Sequence, residues 1–294
     1  MIKKKSKISP LDFIISLILL GIVVYATYRV SVGLNYKWSW GFLPQYFFRY
    51  DEEKGRWVMN LLMQGLNTTI WLSVWSTILA TVMGTFMAFF RISKGLFQRL
   101  IGRTYVELIR NLPPLVLIFI FYYFASEQIM PVLGVDEWVR SLPETLKPLL
   151  SFFFAEPMYF SAFLSGVLTI SLFEAAYITE IVRAGIQVIE RGQWEASYAL
   201  GLSWWQQMRH IILPQAIQRI LPPLAGEFIN TIKNSSIVSI ISIQELTFQG
   251  MELMASTYRT FEVWLTIMGM YLVLTFFLSM CAARFETYVR RSMA

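Results

Sequence analysis

Two sets of polar residues stand out in a chain of 294 residues that is 56% hydrophobic and only 15% charged. The first lies inside the apolar stretch Leu221 to Ile243 and comprises Glu227, Asn230, Lys233, Asn234 and Ser235, with Ser236 behind them. A charge near the centre of a bilayer costs about 2.5–3.5 kcal/mol on insertion scales, so such groups face a cavity or one another. On a single helix they would form a polar stripe carrying both signs, as the ammonium and carboxylate of a zwitterion require. Glu227 and Asn234 are two turns apart on one face, with Asn230 and Lys233 flanking that line. Equally open is a structural reading, in which Glu227 and Lys233 pair with groups on neighbouring helices or reach an interface. The second set is the hydrophilic segment Glu195 to Pro214, whose chemistry is recognition rather than catalysis. Gly201 can adopt the left-handed conformation that closes a helix, while Ser203 and Gln206 fit an S-x-x-Q capping box that opens the next one. Pro214 lacks an N–H. The segment therefore reads as two short helices joined at Gly201 and ended near Leu213.

The spacing within this knuckle is specific. Glu195, Ala196 and Ser197 are followed after three residues by Gly201 and after nine more by Ile211, Leu213 and Pro214. It resembles the EAA loop of the membrane subunits of ATP-binding-cassette (ABC) importers. The resemblance covers roughly Gln64 to Arg284. It includes Gly65-Leu66-Asn67-Thr68-Thr69, Tyr105-Val106-Glu107 with Arg110-Asn111-Leu112-Pro113, Gly192-Gln193-Trp194-Glu195-Ala196, Leu213-Pro214-Gln215-Ala216 and Lys233-Asn234-Ser235-Ser236. This combination is similar to the polar amino-acid uptake branch of that family. The resemblance implies an all-α integral membrane permease that couples to cytoplasmic ABC ATPase subunits through Glu195, Ala196, Ser197, Gly201, Ile211, Leu213 and Pro214. It also implies a second permease subunit, identical or related, a periplasmic or lipid-anchored binding protein, and an amino-acid substrate. Glu227, Asn230, Lys233, Asn234 and Ser235 would line its path.

Three features depart from the family pattern. Ser197 replaces the third Ala, a small-for-small change compatible with close helix packing. A first span precedes the five-span core typical of the branch, and the outer loop from Glu127 to Glu156 is extended. Glu174-Ala175-Ala176 spells EAA, but no Gly follows at the required distance. Glu174 and Glu180 are assigned to the inner end of a span.

Other functions find little support. One His210 and one Cys281 leave no metal cluster or disulfide framework. No cofactor is expected in this chain. With no G-x-x-x-x-G-K-S/T loop, ATP hydrolysis is assigned to a separate subunit. The +6 net charge marks cytoplasmic loops of a membrane protein rather than a nucleic-acid surface. An enzyme is disfavoured by the lack of paired carboxylates on a common helix face. The main alternative is a self-contained secondary transporter or channel with Glu227 and Lys233 as an ion relay; against it stand the missing inverted repeat and the capped loop.

The elements that must position these residues follow from hydropathy, since a membrane helix needs about 20 apolar residues. Six stretches qualify: Leu11 to Tyr28, Ile70 to Phe90, Leu112 to Ala125, Pro157 to Phe173 with its continuation, Leu221 to Ile243, and Val263 to Ala283. They predict about six transmembrane helices, a five-helix permease core plus an N-terminal span. Residues 1–60 form the N-terminal tail, first span and outer loop; residues 61–294 form the transmembrane domain, with its EAA loop at about 187–215. Lys3, Lys4, Lys5 and Lys7 favour a retained anchor with a cytoplasmic N-terminus over a cleaved signal. In that orientation sixteen of the 25 Lys and Arg residues lie inside, the C-terminus is cytoplasmic, and the chain is a multi-pass inner-membrane protein. Outside, Tyr36 to Trp57 is expected to lie along the interface as an aromatic belt, and Glu127 to Lys147 to be a solvated loop or, less favoured, a dock for a delivery protein. Arg110 and Asn111 before Pro113 and Pro114 mark either a simple helix start or a broken helix lining a cavity.

Overall fold

The computed structural model describes residues 10–33, 36–52 and 55–291. Lys3, Lys4, Lys5, Lys7 and Lys54 lie outside the described residues. The chain divides into two compact units between Trp40 and Gly41. The first contains α1 (Pro10–Gly33), a helix of 24 residues whose apolar side chains from Leu11 to Tyr28 are exposed on every face. A helix apolar all round is suited to lipid.

The second unit opens with α2 (Pro44–Phe47) and a hairpin of β1 (Phe48–Asp51) and β2 (Arg56–Met59), paired antiparallel. The aromatic belt expected here is partly a β-ribbon, because Tyr50 and Trp57 pair directly across the strands with ring centroids 5.8 Å apart. Cross-strand aromatic pairs stabilise such ribbons. The long helices follow: α3 (Leu61–Ile92), α4 (Leu96–Asn111), α5 (Pro114–Phe124), α9 (Phe160–Gln187), α12 (Leu213–Asn234) and α14 (Thr260–Arg291).

The bundle is built on α3 and α9, which run parallel. Ser171 donates to Ser76 O at 3.1 Å near the middle, and Arg91 pairs with Glu180 towards their C-terminal ends. Small residues allow the approach: Ala80, Ala88, Ala175 and Ala176 are fully buried, and a Cβ on Gly84 would lie 2.8 Å from Ala175 O. Close packing of small residues is what holds helices together where lipid removes the hydrophobic drive. The α12 helix runs back along α9, since Asn234 meets Glu174 while Ile220 fills the space beside Gly185. At the hairpin end, α13 (Leu246–Thr257) packs on α3 and α14 through Leu62, Leu246, Leu253, Val263 and Ile267.

Five described helical segments are long and apolar enough to cross a membrane: Pro10–Arg29, Leu61–Ile92, Pro114–Val132, Pro157–Gln187 and Thr260–Thr287. The α12 helix has 22 residues but is more polar than these. At 1.5 Å per residue it is about 33 Å long. The chain is a mostly helical integral membrane protein.

Two expectations need correction. Pro214 does not end a helix near Leu213. Helical backbone is continuous from Trp204 through α11 (Trp204–Gln207), a π segment at Met208–Ile212, and α12. Leu213 N–H reaches back to Met208 O, a five-residue step, and this widened turn makes room for a proline ring that would strike the carbonyl four residues before it. Pro222 and Pro223 lie inside α12. Nor is Glu127 to Lys147 a solvated loop. It folds into α6 (Met130–Val132) and α7 (Val135–Ser141), followed by α8 (Lys147–Phe153), around buried Met130, Val139, Leu150 and Phe160.

Candidate functional site

The polar stripe of α12 meets α9 through Asn234, which like Glu227 is half-buried, while Asn230 is exposed. Thr231 Oγ1 donates to Glu227 O at 3.0 Å, and Asn230 Nδ2 to Glu227 Oε2 at 3.2 Å. Asn234 Nδ2 donates to Glu174 Oε1 at 3.0 Å. Glu174 is fully buried midway along α9, not at its inner end as its flanking residues suggest; its second oxygen has no hydrogen-bond partner among the described residues. The Glu227 carboxyl is close enough to act on it electrostatically. Glu180, by contrast, does sit near the end of α9, held by Arg91 and Arg183.

A cation is present, but it is not the expected one. Lys233 is exposed and, among the described residues, makes no ion pair. Six residues from Glu227, it lies about 120° around the helix from that carboxylate. Ser235 is buried and donates to Ile232 O at 2.8 Å, so its hydroxyl is spent on local backbone. Arg110 at the end of α4 is exposed and stacks its guanidinium over the Tyr177 ring at 5.4 Å. Pro113 and Pro114 break the chain between α4 and α5 beside Phe173 and Ala176, so the interruption falls against the middle of α9. Pro113 caps α5 and Pro114 occupies its first turn, where a missing N–H is harmless. Arg110 and Tyr177 thus stand within a turn of Glu174 on α9, and Glu174 is tied through Asn234 to the α12 stripe. Only the depth of Glu174 in a hydrophobic run could have signalled its place from the sequence.

The knuckle forms at the C-terminal ends of α3 and α9. Helix α10 (Arg191–Ala199) ends in a Schellman closure: Gly201 N–H donates to Tyr198 O at 2.9 Å and Leu202 N–H to Ser197 O at 3.3 Å, with Gly201 at φ +73°. The capping box is complete, Ser203 N–H donating to Gln206 Oε1 at 2.8 Å and Gln206 N–H to Ser203 Oγ at 3.4 Å. Glu195, Ala196, Gly201 and Pro214 are exposed, Ile211 and Leu213 half-buried, and Ser197 buried with its hydroxyl on Trp194 O. Around Gly201 stand Tyr198, 78% exposed, Leu200, 75% exposed, and Trp204 and Trp205. The root of the knuckle is rigid, since Met208 and Ile212 are fully buried among Ile178, Val182 and Ile186 of α9.

A helical bundle with polar residues gathered about a buried Glu174 and a capped knuckle seated on two of its spans defines a polytopic membrane transport subunit. Residues 57–294 match the family described as binding-protein-dependent transport system inner membrane component. The chain belongs to this family. It is 33% identical over 226 residues to the glutamine transport system permease protein GlnP of Escherichia coli (strain K12), covering 77% of this chain and 91% of that one. It is 32% identical over 258 residues to the glutamate/aspartate import permease protein GltJ of the same organism, covering 87% and 97%. Among solved structures, a crystal structure of an amino acid ABC transporter with histidines superposes with a TM-score of 0.62 at 33% identity, covering 78% of this chain and 94% of that one. An inward-facing MetNI methionine ABC transporter, at 16% identity and a TM-score of 0.58, shares the fold.

Proposed function

We propose that this chain is the membrane permease of an ATP-driven importer of amino acids, lining the path with its α12 stripe and taking up energy through the Gly201 knuckle. The observation that carries this reading is the seating of the knuckle. Its exposed face presents Tyr198, Leu200, Trp204 and Trp205 among polar residues such as Glu195 and Gln206, while its root is locked into the α9 core through Met208 and Ile212. A push on Tyr198 or Leu200 by a soluble partner is therefore transmitted to α12 rather than absorbed locally.

Glu195, Ala196, Ser197, Gly201, Ile211, Leu213 and Pro214 hold or present that docking surface, and a separate cytoplasmic ATPase closes on it. In the path, Glu227 and Glu174 offer carboxylates to an ammonium, Arg110 offers a guanidinium to a carboxylate, and Asn230 and Asn234 supply amides. A second permease subunit completes the path, a binding protein delivers substrate outside, and no cofactor is needed in this chain. The relatives whose names carry glutamine, glutamate/aspartate and histidine support a polar amino acid as cargo.

The test is reconstitution in proteoliposomes with the ATPase and binding protein, following uptake of radiolabelled glutamine, glutamate and histidine. ATP-dependent uptake of at least one, abolished by omitting the ATPase, is the expected result. Uptake driven by an ion gradient without the ATPase would establish a secondary transporter instead.

A further inference from the structure

At the opposite end of the bundle from the knuckle lies a cavity of about 520 Å³, bounded by the start of α3, α8, the start of α9 and the turn at Ser242 to Gln244. We propose that this cavity is a second, outer binding site for a free zwitterionic amino acid, held between the Gln249 amide and the Lys147 ammonium. The inference deepens the import reading and rests on it for the identity of the cargo. Its site is distinct from the α12 stripe: the cavity reaches α9 at Tyr159, Ala162 and Phe163, and eleven residues separate Phe163 from Glu174. That is about 16 Å along the helix.

The cavity is built rather than incidental. Its volume falls in the range of about 300–1,000 Å³ typical of small-molecule sites. Gln249 is 3% exposed, lines the cavity, and its Oε1 has no hydrogen-bond partner among the described residues. A buried acceptor left unsatisfied costs about 1–3 kcal/mol, so the site favours a ligand that brings an N–H donor. The side chain is also fixed in place, because a Cβ on Gly65 would lie 2.8 Å from Gln249 Cγ; only glycine lets α3 press so closely on it. Opposite stands Ser242 in the left-handed region at φ +61°, where the 3₁₀ turn Ser235–Ile241 gives way to α13. Irregular backbone at such depth is tolerated where it lines a cavity.

The charges on the rim select the ligand. Lys147, 28% exposed, pairs with Glu144, whose side chain is 85% exposed, so a ligand carboxylate can displace the solvated Glu144 from the ammonium. Glu144 and Glu156 line the same cavity and remain for the ammonium of the ligand. A ligand with one charge alone would leave the other half of the rim unmatched.

The experiment uses the full complex with its ATPase in lipid nanodiscs, without binding protein, in a Cys281→Ser background. A Ser151→Cys probe in the cavity wall is alkylated with a maleimide in the presence of L-glutamine, L-glutamate or L-histidine. At least one should slow alkylation saturably, whereas its methyl ester, lacking the carboxylate, should not. Gln249→Met and Lys147→Met should each raise the concentration for half-protection by roughly tenfold. If Gln249→Met fails to assemble, Lys147→Met at the rim decides alone. Absence of protection by all three amino acids, or equal protection in the variants, would overturn the proposal. ATP-driven uptake by the same complex reconstituted into proteoliposomes, with binding protein added, separates the outcomes: import without protection refutes the outer site alone, and absence of import refutes the import reading.

Discussion

At the scale of single residues, the conformation of Gly201 and the charge of Glu227 are the two features whose change should be felt furthest away. Gly201 at φ +73° has open space where a Cβ would go, so substitution is opposed by backbone geometry and not by crowding. A left-handed conformation costs an ordinary residue about 1–2 kcal/mol, and a β-branched one more. Gly201→Val should therefore misdirect α10 against α11 and weaken ATPase association by roughly tenfold or more, since about 1.4 kcal/mol is tenfold. Co-purification of the ATPase measures it; an unchanged yield with normal uptake would remove the knuckle from the docking surface. Glu227→Gln keeps the shape and its contacts with Asn230 and Thr231 while losing the charge. Hydrogen bonds to charged groups contribute about 1.5–3 kcal/mol, so the KM for uptake should rise by roughly ten- to a hundredfold in fully assembled complex. Normal uptake and specificity would exclude Glu227 from the path. A purely structural ion pair would instead show itself as less assembled complex, because a buried partner is left uncompensated.

At the scale of elements, the α3–α9 pair and the anchoring of α13 set the frame. A methyl group at Gly84 would meet Ala175 O at 2.8 Å and Ile178 Cβ at 2.9 Å, both on a helix that cannot yield locally. Overpacking of this kind costs about 1–3 kcal/mol, and Gly84→Ala should lower the melting temperature of the detergent-solubilised complex without altering substrate preference. The start of α13 is tied down by Glu245, fully buried, whose Oε1 accepts from Phe248 N–H at 2.9 Å and Oε2 from Tyr271 OH at 2.7 Å. Thr69 donates to the same carboxylate at 3.4 Å and accepts from Leu246 N–H at 3.1 Å, so three helices meet in one satisfied network. Tyr271→Phe removes the shortest of the bonds to Oε2 and should destabilise the complex by about 1–3 kcal/mol. Thermal unfolding followed by tryptophan fluorescence reads this loss, and an unchanged midpoint would show that Glu245 does not depend on Tyr271.

For the whole molecule, the arrangement of ends makes a prediction about sidedness. The hairpin and the 520 Å³ cavity share one end, and the knuckle occupies the other. If the more basic loops face the cytoplasm, the knuckle is inside. In a Cys281→Ser background, Glu52→Cys should react with an impermeant thiol reagent in intact cells, and Arg209→Cys only after permeabilisation. The reverse pattern would invert the topology and leave a cytoplasmic ATPase no route to Gly201.

The sequence by itself determined what depends on local spacing and composition. Helix after helix was legible from apolar runs, and the Gly201 closure and Ser203 capping box were legible because caps involve residues within a few positions of each other. The tertiary structure decided what depends on residues far apart in the chain. Lys233 is on the same helix as Glu227 but helical phase turns it about 120° away, and Arg110 meets Tyr177 from another helix beside a proline break. Glu174 looked like the end of a span because polar residues follow it, but its depth is set by α3, which packs small residues along α9 well past that point. Pro214 looked like a stop because a regular helix cannot carry it, and only the π turn at Met208–Ile212 shows how the backbone absorbs the ring. The outer segment from Glu127 to Phe153 holds too few apolar residues in any one run to announce a core. It folds because Met130, Val139 and Leu150 share Phe160 of α9, a convergence that no local periodicity encodes.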